Sequence, residues 1–441
     1  MKRLLTFLPS LSLLLSCSYN EPTPDMHDNM NRTSITTEGL RTPDEAVAIA
    51  ENALNLISEI NAPNSRKGIV RKVDYTLPAK IIGNRPQKSR TSSADTLMYV
   101  INYADSMGFA LVSALRNTPE LFAVTISGTY DPAVPVDNPG FNMYVERTTN
   151  YLSYMAAQPK SSSSGGDRFI LDPRKPMPLD SIAVDTLWTN NTPNSVKVYW
   201  GQGGYFGADC PNGLSGCSNT AVAMLMTHFR VPQSLQLTYE EYKDTRPFIT
   251  LDWDELVKHN SFQYYPWDFC NNPSYPIHKR ISQLCRELGH RSNSSYNPGE
   301  TPTPIANTMS LLRDFGYTVR RFEWTFRGIE DDLSRQTILL MYGTNSNTNK
   351  AHMWLCDAAK CYKCKYRHYQ VDPQTIIKGD FNWRANLPWE LVSEWQSECT
   401  LLYFYNWGWA DKNLCGYFHE SDFKVSDRNY NLNVGYLKVS I

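Results

Sequence analysis

Residues 216–229 read Gly216-Cys217-Ser218-Asn219-Thr220-Ala221-Val222-Ala223-Met224-Leu225-Met226-Thr227-His228-Phe229, a glycine turn followed by an almost wholly apolar run. A helix that is apolar all round is a buried one, so this stretch predicts a central helix with Cys217 in its first turn. There the unpaired N–H groups and the helix dipole favour a thiolate and lower the thiol pKa, and the N–H of Cys217 would face a developing oxyanion. Two other interpretations stay open: a buried core thiol, or a disulfide with Cys210.

A nucleophilic thiol needs a base, and His352 is the best candidate among the eight histidines. It lies near the start of an apolar, strand-like run, 135 residues after Cys217, and papain-type enzymes place their His about 130 to 150 residues after the Cys. His228 is eleven residues further along the predicted helix, about 16 Å from Cys217, which is too far. His419 is the second candidate for the base, and a plain core histidine is the alternative for His352.

The base in turn needs an acceptor that orients its ring. Asp357 follows His352 by five residues on the same strand, so it lies on the opposite face, about 17 Å away, and is excluded. Asn406 is the better candidate, because Trp407 and Trp409 beside it would shield the pair from water. The alternative is an aromatic core strand without a catalytic role.

Six short motifs, in this order, resemble those of the streptopain-like cysteine peptidases, a papain-like group with secreted and lipoprotein members in bacteria. They are Trp200-Gly201-Gln202, Cys210-Pro211, Gly216-Cys217, Ala351-His352-Met353-Trp354, Asn406-Trp407-Gly408-Trp409 and Gly416-Tyr417-Phe418. The resemblance implies that Cys217 is the nucleophile and that His352 is the general base and acid. It also implies that Asn406 with Trp407 positions His352, and that Gln202 is a candidate side-chain donor to the oxyanion.

The resemblance also implies an α+β fold, in which a papain-like peptidase domain follows a small α+β propeptide domain. The peptidase domain would have a helix-rich part that carries the Cys and an antiparallel sheet that carries the His. Together with the composition along the chain, this divides the sequence into five parts: residues 1–16, a lipoprotein signal peptide; 17–37, a tether; 38–158, an inhibitory prosegment; 159–195, a linker and processing region; and 196–441, the peptidase segment.

Local patterns support the prosegment. Thr42-Pro43-Asp44-Glu45 predicts a helix start with a capping box, and the helical period places one apolar face at Val47, Ala50, Leu54 and Ile57. Two β-type runs, 97–103 and 108–113, flank a short turn and predict a hairpin. The linker contains Lys160 to Asp167, rich in Ser and Gly, and then a Pro-punctuated arm.

The chain differs from the family motifs by three single-residue replacements and by one longer spacing. Ala351 replaces a Gly, Met353 replaces an Ala and Ala410 replaces a Gly. His352 and Asn406 are 54 residues apart, where the family connection is far shorter. The additional residues include Cys361, Cys364, His368 and Cys399. Cys356, Cys361, Cys364 and His368 resemble a zinc ligand set. An exported chain more often oxidises such thiols, so we expect disulfides or free thiols, no metal and no cofactor.

The N-terminus predicts export. Met1-Lys2-Arg3 is positively charged, and the apolar stretch Leu4 to Leu15 is too short to span a bilayer but suits a signal peptide. Leu14-Leu15-Ser16-Cys17 resembles a bacterial lipobox, so we expect lipidation at Cys17 and a membrane attachment through the lipid alone, at the outer membrane or cell surface. An ordinary signal peptide with an incidental Cys is the alternative.

The composition excludes several classes of protein. A chain of 441 residues with 41% hydrophobic residues can bury a sizeable core, and its net charge of -1 offers no bulk attraction for nucleic acid. The family resemblance and the N-terminus together imply an anchored zymogen of a cysteine endopeptidase, with protein or peptide substrates and its own prosegment as inhibitor. We expect cleavage between about Ser161 and Asn194 to activate and release the peptidase. An inactive homologue that binds at the surface, or a thiol amidase or transferase, stays open.

Overall fold

A computed structural model describes residues 40–61, 73–82, 85–88, 96–158, 179–190, 195–259, 275–323, 332–333, 337–344, 350–371, 390–396, 400–410, 412–420, 424–425, 428–429 and 434–441. The lipobox with Cys17, the tether and Cys399 lie outside these ranges, and for Cys361, Cys364 and His368 only the backbone is described. Within the same ranges, no helix has the length and apolarity to cross a membrane.

The helices are α1 (Pro43–Asn61), α2 (Pro139–Ala157), α3 (Cys217–Phe229), α4 (Trp253–Leu256), α5 (Tyr275–Arg291) and α6 (Ile305–Asp314). The strands are β1 (Val73–Ile82), β2 (Arg85–Lys88), β3 (Thr96–Tyr103), β4 (Phe109–Ser113), β5 (Leu121–Thr125), β6 (Leu179–Asn190), β7 (Ser234–Gln236), β8 (Phe248–Thr250), β9 (Thr318–Glu323), β10 (Thr337–Thr344), β11 (Ala351–Val371), β12 (Glu390–Gln396), β13 (Thr400–Asn406), β14 (Gly416–His419), β15 (Lys424–Val425), β16 (Arg428–Asn429) and β17 (Val434–Ser440).

One large sheet organises the chain. Its strand order is β2-β1-β3-β4-β5-β14-β13-β11-β10-β17-β9, with β6 and β12 added to the far part of β11. Every pairing between these strands is antiparallel. The chain is therefore a mixed α/β protein with a large antiparallel sheet, which confirms the predicted class at this level.

The described part of the predicted prosegment, residues 38–158, supplies one end of this sheet. Its last strand, β5, pairs with β14 of the peptidase segment, so the sheet continues across the two segments. The predicted hairpin is confirmed as β3 and β4. The capping box of α1 is confirmed as well: the Thr42 N–H donates to Glu45 Oε2 at 2.7 Å, and the Glu45 N–H donates to Thr42 Oγ1 at 3.2 Å.

Two of the four residues on the predicted apolar face of α1 have described side chains: Ala50 is buried and Val47 is half-buried, whereas the side chains of Leu54 and Ile57 lie outside the described residues. Ala46 and Ala53 are buried as well. Small side chains bring the helix backbone close to the sheet: the Tyr103 hydroxyl donates to the Ala50 carbonyl at 2.8 Å. Among the described side chains, this row of alanines is the most deeply buried part of the helix.

Two hydrophobic cores meet at strand β11. Trp354 and Cys356 belong to the core that contains α1, α2 and the aromatic side chains of β13 and β14. Met353 and Leu355 belong to the core around α3 and α5. Because successive side chains of a strand point to opposite faces, β11 separates the two cores. Its first residues, which include His352, therefore have one core on each side.

Candidate active site

Helix α3 begins at Cys217, as predicted. Gly216 precedes it with φ +86°, and a Cβ at that position would lie 2.5 Å from the Thr301 carbonyl oxygen, so glycine is required there. Residues 218–227 are all buried, which confirms that the helix is a core helix. The Cys217 side chain itself stays half-buried at the helix N-terminus.

The thiol of Cys217 lies against the backbone of β11. The N–H of Met353 hydrogen-bonds to the sulfur, and Ser218 contributes further hydrogen bonds. These contacts lower the pKa of Cys217, but burial raises it more, and the net pKa is above the ordinary value. The prediction of a lowered pKa is therefore wrong for this structure, because desolvation of the thiolate outweighs the donors at the helix N-terminus.

His352 is the second residue of β11 and is almost fully buried, with 3% of its surface exposed. Its Nε2 lies 2.8 Å from the carbonyl oxygen of Trp407. A carbonyl can only accept a hydrogen bond, so Nε2 carries the proton and a neutral ring leaves Nδ1 free to accept another. Burial lowers the pKa of His352 to about 4, and the Trp407 carbonyl acts in the opposite direction, so the ring is neutral at pH 7.

The structure brings Cys217 and His352 to neighbouring positions of β11 without joining them. The sulfur contacts the backbone of Met353, whereas the imidazole stacks on Trp354, with ring centroids 6.1 Å apart and an interplanar angle of 13°. Among the hydrogen bonds of the described residues, none links the thiol to the imidazole. The sulfur therefore lies beside Met353, the residue that follows His352 on β11.

Asn406 and Trp407 follow each other at the end of β13, and among the hydrogen bonds of the described residues it is Trp407 that binds His352. Asn406 Nδ2 donates to the Val198 carbonyl at 2.8 Å, and Asn406 Oδ1 accepts from the Gly408 N–H at 3.2 Å. Trp407 is fully buried, and its Nε1 donates to the Leu414 carbonyl at 2.9 Å. In this structure the Trp407 carbonyl holds the imidazole, while Asn406 fixes the turn that presents this carbonyl.

Gln202 lies beside the loop that leads into Cys217. Its carbonyl accepts hydrogen bonds from the Ser215 N–H at 2.8 Å and the Ser215 hydroxyl at 3.2 Å. The Thr220 hydroxyl, one turn into α3, donates to the Gly201 carbonyl at 3.3 Å. The backbone of the Trp-x-Gln segment is thus tied to both sides of Cys217.

The prosegment covers the candidate base. Gly140, in the first turn of α2, packs so closely that a Cβ there would lie 2.6 Å from His352 Cδ2 and 2.5 Å from Trp407 Cε3. Helix α2 was not predicted, although Asn138-Pro139 is a helix-start signal: the Asn138 side chain accepts from the Phe141 N–H at 3.0 Å, and Pro139 occupies the first helical position. What the sequence does not reveal is which surface this helix covers.

A buried polar cluster joins the same helix to the end of β14. Arg147 of α2 forms an ion pair with Glu420, which also accepts from the Tyr405 hydroxyl at 2.8 Å. The Tyr144 hydroxyl donates to the His419 carbonyl at 3.1 Å. Burial raises the pKa of Glu420 despite Arg147. These contacts, together with the β5–β14 pairing, attach the prosegment to the peptidase segment.

The other residues considered as base, acceptor or nucleophile lie in buried environments away from a catalytic arrangement with Cys217 among the described contacts. His419 is buried, with Nδ1 3.1 Å from the Leu401 carbonyl and a pKa lowered by burial to about 4. Asp357 is buried and accepts from the N–H groups of Ser195 at 2.8 Å and Val196 at 2.6 Å. Four thiols with described side chains are free: Cys210, Cys217, Cys285 and Cys356. Cys217 therefore forms no disulfide with Cys210 in this structure.

A thiol at the start of a buried helix, next to a strand that begins with a buried histidine, is typical of cysteine hydrolases. Residues 200–418 match the model of the peptidase C10 family. The chain belongs to this family, and this membership implies a cysteine peptidase. No curated protein matches the chain.

The solved structures similar to this chain include that of a fragment of prointerpain A from Prevotella intermedia, in which one cysteine is replaced by alanine. The two chains are 14% identical. The match covers 82% of this chain and 98% of the other, with a TM-score of 0.46.

Proposed function

We propose that the protein is the zymogen of a cysteine endopeptidase that is exported and anchored by a lipid on Cys17. The observation that carries the proposal is the position of Cys217, whose sulfur accepts from the Met353 N–H directly beside His352. The site thus places the thiol of Cys217, at the start of α3, against Met353, the residue next to His352 on β11. The family membership supplies the reaction class.

Cys217 is the nucleophile, and His352 is the base and acid. With Nε2 bound to the Trp407 carbonyl, Nδ1 takes the thiol proton, and the thiolate attacks the peptide carbonyl. The N–H of Cys217 and the Gln202 side chain stabilise the oxyanion. His352 then gives the proton to the leaving amine, and water hydrolyses the acyl-enzyme. Asn406 and Trp407 keep the ring oriented.

The prosegment acts as the inhibitor of its own chain. Gly140 lies on the imidazole, so α2 blocks the approach of a substrate to the base from this side. Removal of α2 frees His352 to turn toward Cys217. Cleavage between about Ser161 and Asn194 makes this change permanent. Because the lipid belongs to the N-terminal part, the same cleavage releases the peptidase from the membrane.

The experiment is casein hydrolysis by residues 18–441 in the presence of a thiol reductant. Wild type is expected to shorten itself and to degrade casein, while Cys217→Ala and His352→Ala remain full-length and inactive. Processed wild type that is as inert as Cys217→Ala would contradict the peptidase, and casein hydrolysis by Cys217→Ala would contradict the nucleophile. An enzyme that labels at Cys217 but leaves casein intact would be an amidase or transferase.

The anchor has its own test in cells that express the full chain. Wild type before processing is expected in the membrane fraction, and Cys17→Ala in the soluble fraction. The processed peptidase is expected in the medium. Processed wild-type protein that stays in the membrane fraction would contradict release by cleavage.

A further inference from the structure

Strand β6 lies in the linker and processing region, where the sequence analysis identified no strand. It pairs with β11 along its whole length, from Asn190 opposite Lys360 to Leu179 opposite Val371, without a register shift. The other edge of the same part of β11 pairs with β12, from Lys365 opposite Gln396 to Gln370 opposite Glu390. These three elements form what we call the arm: β6, residues 360–371 of β11, and β12.

The arm explains the long spacing between His352 and Asn406. Strand β11 first pairs with β10 and β13, the neighbours that position the site. It then continues for about ten residues, and this continuation pairs with β6 and β12. Residues 360–371, which belong to this longer connection, are thus the ones that pair with the linker strand.

The chain after β6 is attached to the peptidase segment as well. The N–H groups of Ser195 and Val196 both donate to the buried carboxylate of Asp357 on β11. The carbonyl of Val198 accepts from Asn406 on β13. Residues 179–190 and 195–198 therefore contact the peptidase strands at the arm and near the site.

The contacts of the prosegment lie elsewhere. Gly140 covers His352, Arg147 pairs with Glu420, and β5 pairs with β14. Among the described strands, β6 pairs with β11 alone. Release of the prosegment thus requires none of the β6 pairing to break, whereas removal of β6 would leave the N–H and C=O groups of residues 360–371 unpaired on that edge.

We propose that β6 is a permanent strand of the mature peptidase, so that the processing bond lies on the N-terminal side of Leu179. Residues 360–371 of β11 pair with β6 and hold it in place after the prosegment leaves. Strand β12 supports these residues from their other edge. This inference rests on the proposed zymogen and narrows its processing region. The enzyme is released from the membrane with the arm complete.

The first test is the intact mass of the large fragment that wild-type residues 18–441 produce after addition of reductant. The expected fragment begins before Leu179 and contains all of β6. A fragment that begins between residues 191 and 195 would overturn the proposal. If the chain does not process itself, the zymogen proposal fails, and a second measurement still tests the arm.

That measurement uses Cys217→Ala with a recognition site for an exogenous protease inserted between Gly165 and Gly166. After the cut, hydrogen exchange is measured on peptides from 179–190 and 360–371. Slow exchange in both supports a permanent strand, and exchange of 179–190 at the rate of an unfolded chain would overturn it.

Two proline variants in this background provide a matched pair, Val184→Pro and Asp185→Pro. Only alternate N–H groups of an antiparallel edge strand face its neighbour, so one variant removes a ladder donor and the other is its control. We expect at least tenfold faster exchange at 360–371 in one of them. No acceleration in either would contradict the pairing.

Discussion

Gly140→Ala is the most informative change in the contact between prosegment and site. A Cβ at this position would lie 2.5 Å from Trp407 Cε3 and 2.6 Å from His352 Cδ2. Both neighbours are buried, and His352 is hydrogen-bonded to the Trp407 carbonyl, so neither side chain can move aside without a cost in free energy. Overpacking of this kind costs about 1–3 kcal/mol, which corresponds to about a 5- to 150-fold larger fraction of chains with α2 displaced.

The assay is the initial rate of self-processing of residues 18–441 after addition of reductant. If displacement of α2 precedes cleavage, Gly140→Ala is expected to process about 5- to 150-fold faster than wild type. Gln158→Ala, at the exposed end of the same helix, is the control and should process at the wild-type rate.

The sign of the effect separates this account from a simple helix effect. Alanine stabilises a helix by up to about 1 kcal/mol relative to glycine, so without the contact on His352 the variant would hold α2 more firmly. An unchanged or slower rate for Gly140→Ala would therefore refute the inhibitory contact.

Three further predictions concern buried charge and backbone strain. Glu420→Gln leaves Arg147 buried without its ion pair, which costs about 3–5 kcal/mol of folding free energy. In the Cys217→Ala background this variant should unfold at a lower denaturant concentration, and an unchanged unfolding midpoint would contradict a stabilising ion pair. Burial raises the pKa of Asp357 from 3.8 to about 6, so the stability this group contributes is lost as the pH rises through that range. The free energy of unfolding should fall by about 3 kcal/mol more than in Asp357→Asn between pH 4 and 7, and parallel curves would exclude this. Ala410 has φ +70°, a left-handed conformation that costs a non-glycine residue about 1–2 kcal/mol, so Ala410→Gly should raise the melting temperature slightly; a lower one would argue against strain.

Local signals predicted the elements that carry the site. The apolar run after Cys217 and the strand around His352 both have a pattern that short-range periodicity reveals. The capping box at Thr42 and Glu45 is likewise a local signature. For these positions the elements are decided within a few residues of chain, so the sequence was sufficient.

Long-range contacts could not be predicted in this way. That Gly140 would cover His352, or that β6 would pair with a continuation of β11, depends on residues more than 150 positions apart. The prediction that the pKa of Cys217 is lowered was wrong for a related reason, because the burial that raises this pKa depends on the whole fold. The hydrogen-bond partner of His352 is the backbone carbonyl of Trp407, and a backbone partner cannot be predicted from the types of side chains in the sequence.

The most direct test of the central claim is the reaction of processed wild-type enzyme with a peptidyl epoxide, followed by mass spectrometry of its peptides. Such a reagent needs a nucleophilic thiolate and a peptide-binding cleft. We predict one adduct, on Cys217, and at least a hundredfold slower reaction in His352→Ala processed by an exogenous protease. An adduct on another cysteine, or a rate that does not depend on His352, would contradict the account.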